Sequence, residues 1–319
     1  VRALVYDRYG PPDVLRLADV PVPEPGPGQV LLETEAVGLN LSDWECLRGS
    51  PAYARIGGLR RPARRVLGSD VAGRVAAVGP GVTRFRVGDD VYGDNLALKG
   101  GLAECTLARE SALALRPPGL SAVQAAAIPQ PAAIALQGVA GVGPGSRVLV
   151  NGAGGGAGSL AVQLAKAAGA HVTGVDNAGK AAFVASLGAD EVLDHRVDDF
   201  TRTAAGYDLV LDLVAHRSVL AYRRALAPGG RYRCVGGTTR ALLRVLVGGA
   251  VVGAVSGRRI GVLAVREGPA AFTPMADHCL AGSVRLHVHR EYRLDEAPAA
   301  LADVGAGRAL GKAVVLPRA

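Results

Sequence analysis

Residues 147–158 read Arg-Val-Leu-Val-Asn-Gly-Ala-Gly-Gly-Gly-Ala-Gly and run directly into Ser-Leu-Ala-Val-Gln-Leu-Ala-Lys. The apolar run at 148–150 suits a buried strand, and the Ala/Leu-rich stretch after Ser159 suits a helix. Between them stand Gly152, Ala153, Gly154, Gly155, Gly156, Ala157 and Gly158, five glycines in seven residues. Glycine lets a backbone turn this tightly, approach a phosphate closely and present bare amides at a helix N-terminus. A second strand at 171–175 ends in Asp176. That acid lies about 20 residues beyond the glycines, where a dinucleotide-binding βαβ unit places its ribose ligand. A glycine-rich β–α turn without a ligand has the same loop; strand, helix and acid together carry the reading.

The pattern around this loop continues it. Strands are expected at 191–193, 207–212, 231–235 and 259–265, with helices ending at Leu187 and covering 218–226 and 274–281. That alternation predicts a doubly wound parallel sheet of six strands in an α/β fold. Residues 1 to 118 read instead as β-rich, with runs at 30–37, 72–78 and 103–107 punctuated by Pro and Gly clusters. A helix follows Ser121 as N-cap, over 122–128, and a second helical stretch leads to Gly141. Short strands return from Val284, so the expected division is 1–118 with 284–319, and 119–283.

Composition excludes several classes. The 319 residues allow two domains, and 49% hydrophobic with 20% charged residues is ordinary for a globular protein. No 18-residue run lacks both charge and glycine, and the chain opens on a strand-like segment, so the expectation is a cytoplasmic protein with no membrane span. The net charge is +8, but only four of the 36 basic residues are lysines, and the arginines read as scattered, without the interleaved aromatics of a nucleic-acid binder. One cluster, Arg55, Arg60, Arg61, Arg64 and Arg65, either attracts an acidic substrate or is a solvated loop. Cys46, Cys105, Cys234 and Cys279 form no Cys-x-x-Cys pair, which excludes a zinc cluster of that type.

Several further segments match one family. Ala36-Val-Gly-Leu-Asn-Leu-Ser-Asp43, Gly68-Ser-Asp-Val-Ala-Gly73, Val87-Gly-Asp-Asp-Val91, Ser186-Leu-Gly-Ala-Asp190 and Gly311-Lys312, with the glycine loop, resemble the medium-chain dehydrogenase/reductases along essentially the whole chain. The closer resemblance is to their zinc-free, quinone oxidoreductase or zeta-crystallin-like branch. It implies a GroES-like catalytic domain split around a Rossmann domain, an active site in the cleft between them, and a homodimer joined by sheet edges near 259–265. Zinc-dependent relatives carry Cys and His at the positions of Asn40 and Ser69, and neither residue here is a zinc ligand at physiological pH. No metal is therefore expected.

Hydride delivery without a Lewis acid suits an activated C=C bond, in a quinone or an α,β-unsaturated carbonyl, because the resulting enolate needs only hydrogen-bond donors. The resemblance puts Asn40 beside the nicotinamide or substrate; a turn-forming Asn after a strand is the alternative. Asp43 orders that loop or transfers protons, and Tyr53 is a candidate donor to the carbonyl oxygen, with solvent as the other proton source.

Asp176 favours NADH by repelling a 2′-phosphate, whereas Lys180 lies where NADPH-using relatives carry a cation, so the preference stays even. Asn177 suits either ribose, and His195 takes a position near the adenine. The resemblance adds Gly174, Val235, Gly236, Gly237, Leu263 and Lys312 as cofactor contacts. Two rivals stand beside this reading: a biosynthetic enoyl reductase of polyketide-type or carrier-bound chains, and a nucleotide-binding regulatory protein that binds RNA. The apolar stretch within 236–257 either roofs a substrate pocket or packs as a helix or subunit interface.

Overall fold

In the computed structural model, which describes residues 1–56, 58–203 and 206–319, contacts divide the chain into Val1–Ala132 with Arg266–Ala319, and Ala133–Val265. The expected boundaries after 118 and 283 both move inward. The short helix Ala122–Ala126 lies against the strand Gln29–Gly38, so close that a Cβ on Gly38 would stand 2.1 Å from the Ala126 carbonyl oxygen. The helix Pro269–Leu280 sets Phe272 edge-on to Tyr92, with ring centroids 5.2 Å apart. Aromatic and backbone packing thus assign both helices to the β-rich unit.

That unit is built on a seven-stranded sheet. Its path runs Val288–Arg293, Lys312–Leu316, Gln29–Gly38, Asp70–Val78, Asp90–Asp94 and Leu113–Leu115, with Cys105–Arg109 also paired to Gln29–Gly38. The pairing is antiparallel except between the first two. Leu4, Leu47, Leu67, Leu102, Tyr292 and Leu301 fill one core of this unit, each at most 2% exposed. The helix Leu41–Arg48, which the sequence pattern did not announce, starts at Asn40 as N-cap and stops at Gly49, whose φ of 60° is the left-handed C-cap conformation.

The second unit holds six parallel strands in the order Glu191–Asp194, His171–Asp176, Arg147–Asn151, Tyr207–Asp212, Leu226–Cys234, Arg259–Val262. By chain position that order is 3-2-1-4-5-6, the doubly wound arrangement expected. Its strands are buried on both faces, which is why 148–150 and 209–211 are continuously apolar. The strand expected from 231 starts at Leu226, and Pro228-Gly-Gly230 is an irregularity inside it: Tyr207 pairs with Leu226, and Leu209 with Arg231.

One helix differs from expectation, and another takes one of the forms expected of it. The one placed at 274–281 begins at Pro269, directly after Gly268, and carries Pro274 inside it; Pro269 occupies the first-turn position where a missing N–H costs nothing. The apolar stretch within 236–257 is a continuous helix, Thr239–Ser256. Thr238 caps it by accepting from the Ala241 amide, and Gly257 ends it at φ 63°.

Candidate active site

The glycine loop divides into a structural half and an accessible half. A Cβ on Gly158 would come within 2.0 Å of the Gly152 carbonyl oxygen, so the helix Gly156–Ala167 can start against the loop only with glycine there. Ala153, Gly154 and Gly158 are buried, whereas Gly152, Gly155, Gly156 and Ala157 are half-exposed. Gly155 is the N-cap and has no side chain to satisfy the first-turn amides, which leaves them without a side-chain cap. Uncapped amides and the positive end of the helix dipole fit a pyrophosphate.

The other residues expected at the cofactor follow from topology. Asp176, His195, Val235 to Gly237 and Leu263 all stand at or just past the carboxyl ends of parallel strands, the same edge that carries the loop. Asp176 is committed to the loop itself: one carboxylate oxygen accepts from the Gly154 amide at 2.8 Å, the other from the Asn177 amide and side chain at 2.9 and 3.0 Å. Lys180 folds beneath the glycines, 5% exposed, with Nζ 3.9 Å from Asp176 and 3.5 Å from the Gly154 carbonyl. Burial holds its pKa below the usual lysine value, and Asp176 pulls it back up. Gly174 serves packing, since a Cβ there would meet Val184 at 2.4 Å. His195, just past the strand Glu191–Asp194, is exposed, with its ring Nδ1 3.4 Å from Asp194 Oδ1.

The first unit gathers a buried polar cluster around Asn40. Strand Asp70–Val78 brings up Asp70 and, just before it, Ser69; strand Lys312–Leu316 brings Lys312, and all are at most 7% exposed. Asn40 Nδ2 donates to Asp70 at 2.9 Å and to Ser69 Oγ at 3.4 Å, while Asn40 Oδ1 accepts from Lys312. Lys312 Nζ also donates to Asp70 at 2.9 Å, and the Gln130 amide to the other Asp70 oxygen at 3.1 Å. Burial pushes the Asp70 carboxyl up; Lys312, Asn40 and Gln130 pull against it. Lys312, which the resemblance puts at the cofactor, pairs with Asp70 within the β-rich unit. Gly38 makes this possible, because a Cβ there would stand 2.7 Å from the Lys312 Cε.

Asp43 is tied to the backbone and to a lysine. It is fully buried, with one oxygen accepting from the Asn40 amide and the other from the Gly68 amide and Lys99 Nζ. Tyr53 donates to Glu45 at 2.8 Å instead of joining this cluster, and burial raises the pKa of both. Of the arginine cluster, Arg55, Arg64 and Arg65 are spent on the Gly49 carbonyl, the Ala97 carbonyl and Asp7.

Asp70, Lys99, Gln130 and Asp94 were not anticipated. Asp94 lies directly across the antiparallel ladder from Asp70, and its buried Oδ1 has no hydrogen-bond partner. Burial, then the charge of Asp70, raises its pKa to about 7. An acid in an otherwise buried strand segment, as in Val91-Tyr-Gly-Asp94, was the available signal.

Asn40 and Ser69 are a neutral amide and a hydroxyl, and Asp70 is held by an ammonium group; this donor set does not fit a catalytic zinc. Among the described residues no three His, Cys, Asp or Glu converge as a ligand set. The cluster pairs one ammonium with one carboxylate, and the Asn40 amide bridges the two.

Residues 26–193 match the alcohol dehydrogenase GroES-like domain family, and residues 187–315 the zinc-binding dehydrogenase family. A chloroplastic quinone-oxidoreductase homolog of Spinacia oleracea is 36% identical over 226 residues, 68% of each chain. The quinone oxidoreductase structure from Coxiella burnetii superposes with a TM-score of 0.89 at 29% identity, covering 99% of both chains. The CurK enoyl reductase structure gives 0.83 at 25% identity, covering 99% of this chain and 98% of that one.

Proposed function

We propose that this chain, which belongs to the quinone oxidoreductase-like branch of the medium-chain dehydrogenase/reductases, delivers hydride from NAD(P)H to the activated C=C bond of a quinone or an α,β-unsaturated carbonyl. The observation that carries the reading is the Asn40–Asp70–Lys312 arrangement, which has donors for a developing oxyanion and lacks the ligands for a zinc Lewis acid. The reduced nicotinamide supplies the hydride when bound. The amides at the start of Gly156–Ala167 hold its pyrophosphate, and Asp176 takes its ribose hydroxyls. As hydride adds to the β-carbon, charge moves to the carbonyl oxygen. There the third N–H of Lys312, the one not given to Asn40 or Asp70, would stabilise it while Asn40 holds the ammonium in place. A proton then adds at the α-carbon of an enone or the oxygen of a quinone.

Rapid-mixing oxidation of NADH and NADPH against a panel of quinones and enones tests this, before and after dialysis against a chelator. Turnover that survives chelation supports a zinc-independent enzyme. Tight nucleotide binding without turnover of any acceptor refutes the reading, and activity restored by zinc alone refutes its metal-free form. An enoyl reductase acting on carrier-bound chains is the second reading, favoured by the likeness to CurK; a carrier-linked enoyl thioester in the same panel separates the two. We also infer a homodimer through Arg259–Val262, the open edge of the six-stranded sheet, for sedimentation equilibrium to test. Four free thiols suit a reducing compartment such as the cytoplasm.

A further inference from the structure

The arginines are not scattered. Between Asp212 and Glu267 the chain has ten arginines and no acidic residue, more than the whole net charge of +8. Through the middle of this segment runs the Thr239–Ser256 helix, whose composition and length would suffice to cross a membrane. Ala241, Val245, Gly249 and Gly253 form its buried face, with Gly249 against the Ile260 carbonyl. Its opposite face is also apolar: Leu243 is 56% exposed, Val247 73%, Val251 64% and Val255 82%. Such a helix, apolar all round, is ordinarily enclosed. The adjoining helix Val219–Ala225 adds exposed Leu220, Arg223 and Arg224 beside it.

Charge decides what covers this face. Arg240 and Arg244 stand on its first turns, exposed and, among the described residues, without a carboxylate partner. Behind the helix a groove of about 440 Å³ is lined by Arg231, Arg233, Arg258 and Arg259. Burial and the neighbouring Arg231 lower the pKa of Arg233, whose guanidinium donates to the Gln137 and Gly138 carbonyls. A second copy laid helix face to helix face here would bring no acidic residue from 213–266 to meet Arg240 and Arg244. A surface that is apolar at depth and anionic at its rim matches both components. Crossing a membrane would strip the glycine face from Arg259–Val262; lying on one does not.

We propose that the outward face of the Thr239–Ser256 helix and the arginines around it dock the protein flat on an anionic lipid bilayer. This departs from the expectation of no membrane partner and does not rest on the reaction assigned above, since an inactive enzyme would dock equally well.

The test is co-sedimentation of the purified protein with vesicles of phosphatidylcholine, with and without phosphatidylglycerol. Partition onto the anionic vesicles is expected to exceed that onto neutral ones by about tenfold and to weaken with salt. The pairs Leu243→Glu/Val247→Glu and Arg240→Glu/Arg244→Glu abolish the preference, while turnover of a water-soluble quinone, reporting the fold, stays unchanged. Equal partition of wild type and both variants overturns the proposal. So does a Leu243→Glu/Val247→Glu variant that dissociates an oligomer without changing vesicle partition, which assigns the face to a second copy. Salt-sensitive retention of RNA without vesicle binding assigns the arginines to nucleic acid and overturns it too.

Discussion

Asp176→Ser isolates the group that sets nucleotide preference. In the wild type the carboxylate accepts from Gly154 and Asn177 and lies 3.9 Å from Lys180, an attraction of about 4 kcal/mol at an effective dielectric of 20 before desolvation is subtracted. Lys180 is therefore already matched, and a 2′-phosphate entering here meets a carboxylate first. Serine removes that charge and retains one acceptor for the loop. Burial alone then acts on Lys180 and lowers its pKa further, so a 2′-phosphate becomes the anion that recharges it. One charge-assisted hydrogen bond contributes about 1.5–3 kcal/mol, so the ratio of kcat/KM for NADPH over NADH should rise roughly tenfold to a hundredfold. Steady-state kinetics with both nucleotides measures it, and Lys180→Met added to Asp176→Ser should cancel most of the gain. An unchanged ratio in the single variant refutes the electrostatic argument; a gain that survives Lys180→Met refutes the part given to Lys180.

Lys312→Met should destabilise the protein by about 3–5 kcal/mol in chemical denaturation, because it leaves Asp70 buried and unpaired, and Asp70→Asn added to it should recover much of the loss. Asp94 gives a pH signature of the opposite sign to an ordinary surface acid. Its folded pKa of about 7 lies above its unfolded value, so its contribution is present at low pH and is lost as pH rises from about 4 to about 7. Asp94→Asn should flatten that decline and melt higher than wild type at pH 8; an identical pH profile in the two proteins would remove Asp94 from the account. Gly38→Ala should cost about 1–3 kcal/mol and lower kcat by displacing Lys312, whereas Gly143→Ala, with nothing within 4 Å of its Cβ, should be nearly silent in both measurements.

The parallel sheet was legible because burial on both faces turns each strand into a short apolar run and each connection into a capped helix. The glycine loop was legible for a related reason: its steric demands exclude every other residue at Gly158. Leu41–Arg48 was missed because Leu41-Ser-Asp-Trp-Glu-Cys-Leu-Arg48 has a weak apolar period, and its helix depends on Asp43 reaching back to the Asn40 amide. The cluster around Asn40 was half legible. Asn40 and Lys312 are 272 positions apart, and no local pattern shows that sheet pairing sets them against one another. Asp70 and Asp94 become neighbours only through the register between two strands, so their mutual charge, which raises Asp94, is a property of pairing. The arginine-rich stretch was visible in the order of residues but is disguised in whole-chain composition.

The glycines on the inner face of Thr239–Ser256 have a mechanical consequence. Gly249 and Gly253 let the helix approach Arg259–Val262 until added Cβ atoms would sit 2.6 and 2.8 Å from strand carbonyl oxygens. Each costs about 1 kcal/mol of intrinsic helix stability relative to alanine, so this segment owes its helical form to the strand beneath it. A helix held that way has neither the independent stability to swing out nor the clearance to slide. Leu243, Val247 and Val251 are consequently carried as a rigid plate fixed to the nucleotide-binding sheet, and their spacing and orientation are those of the sheet itself.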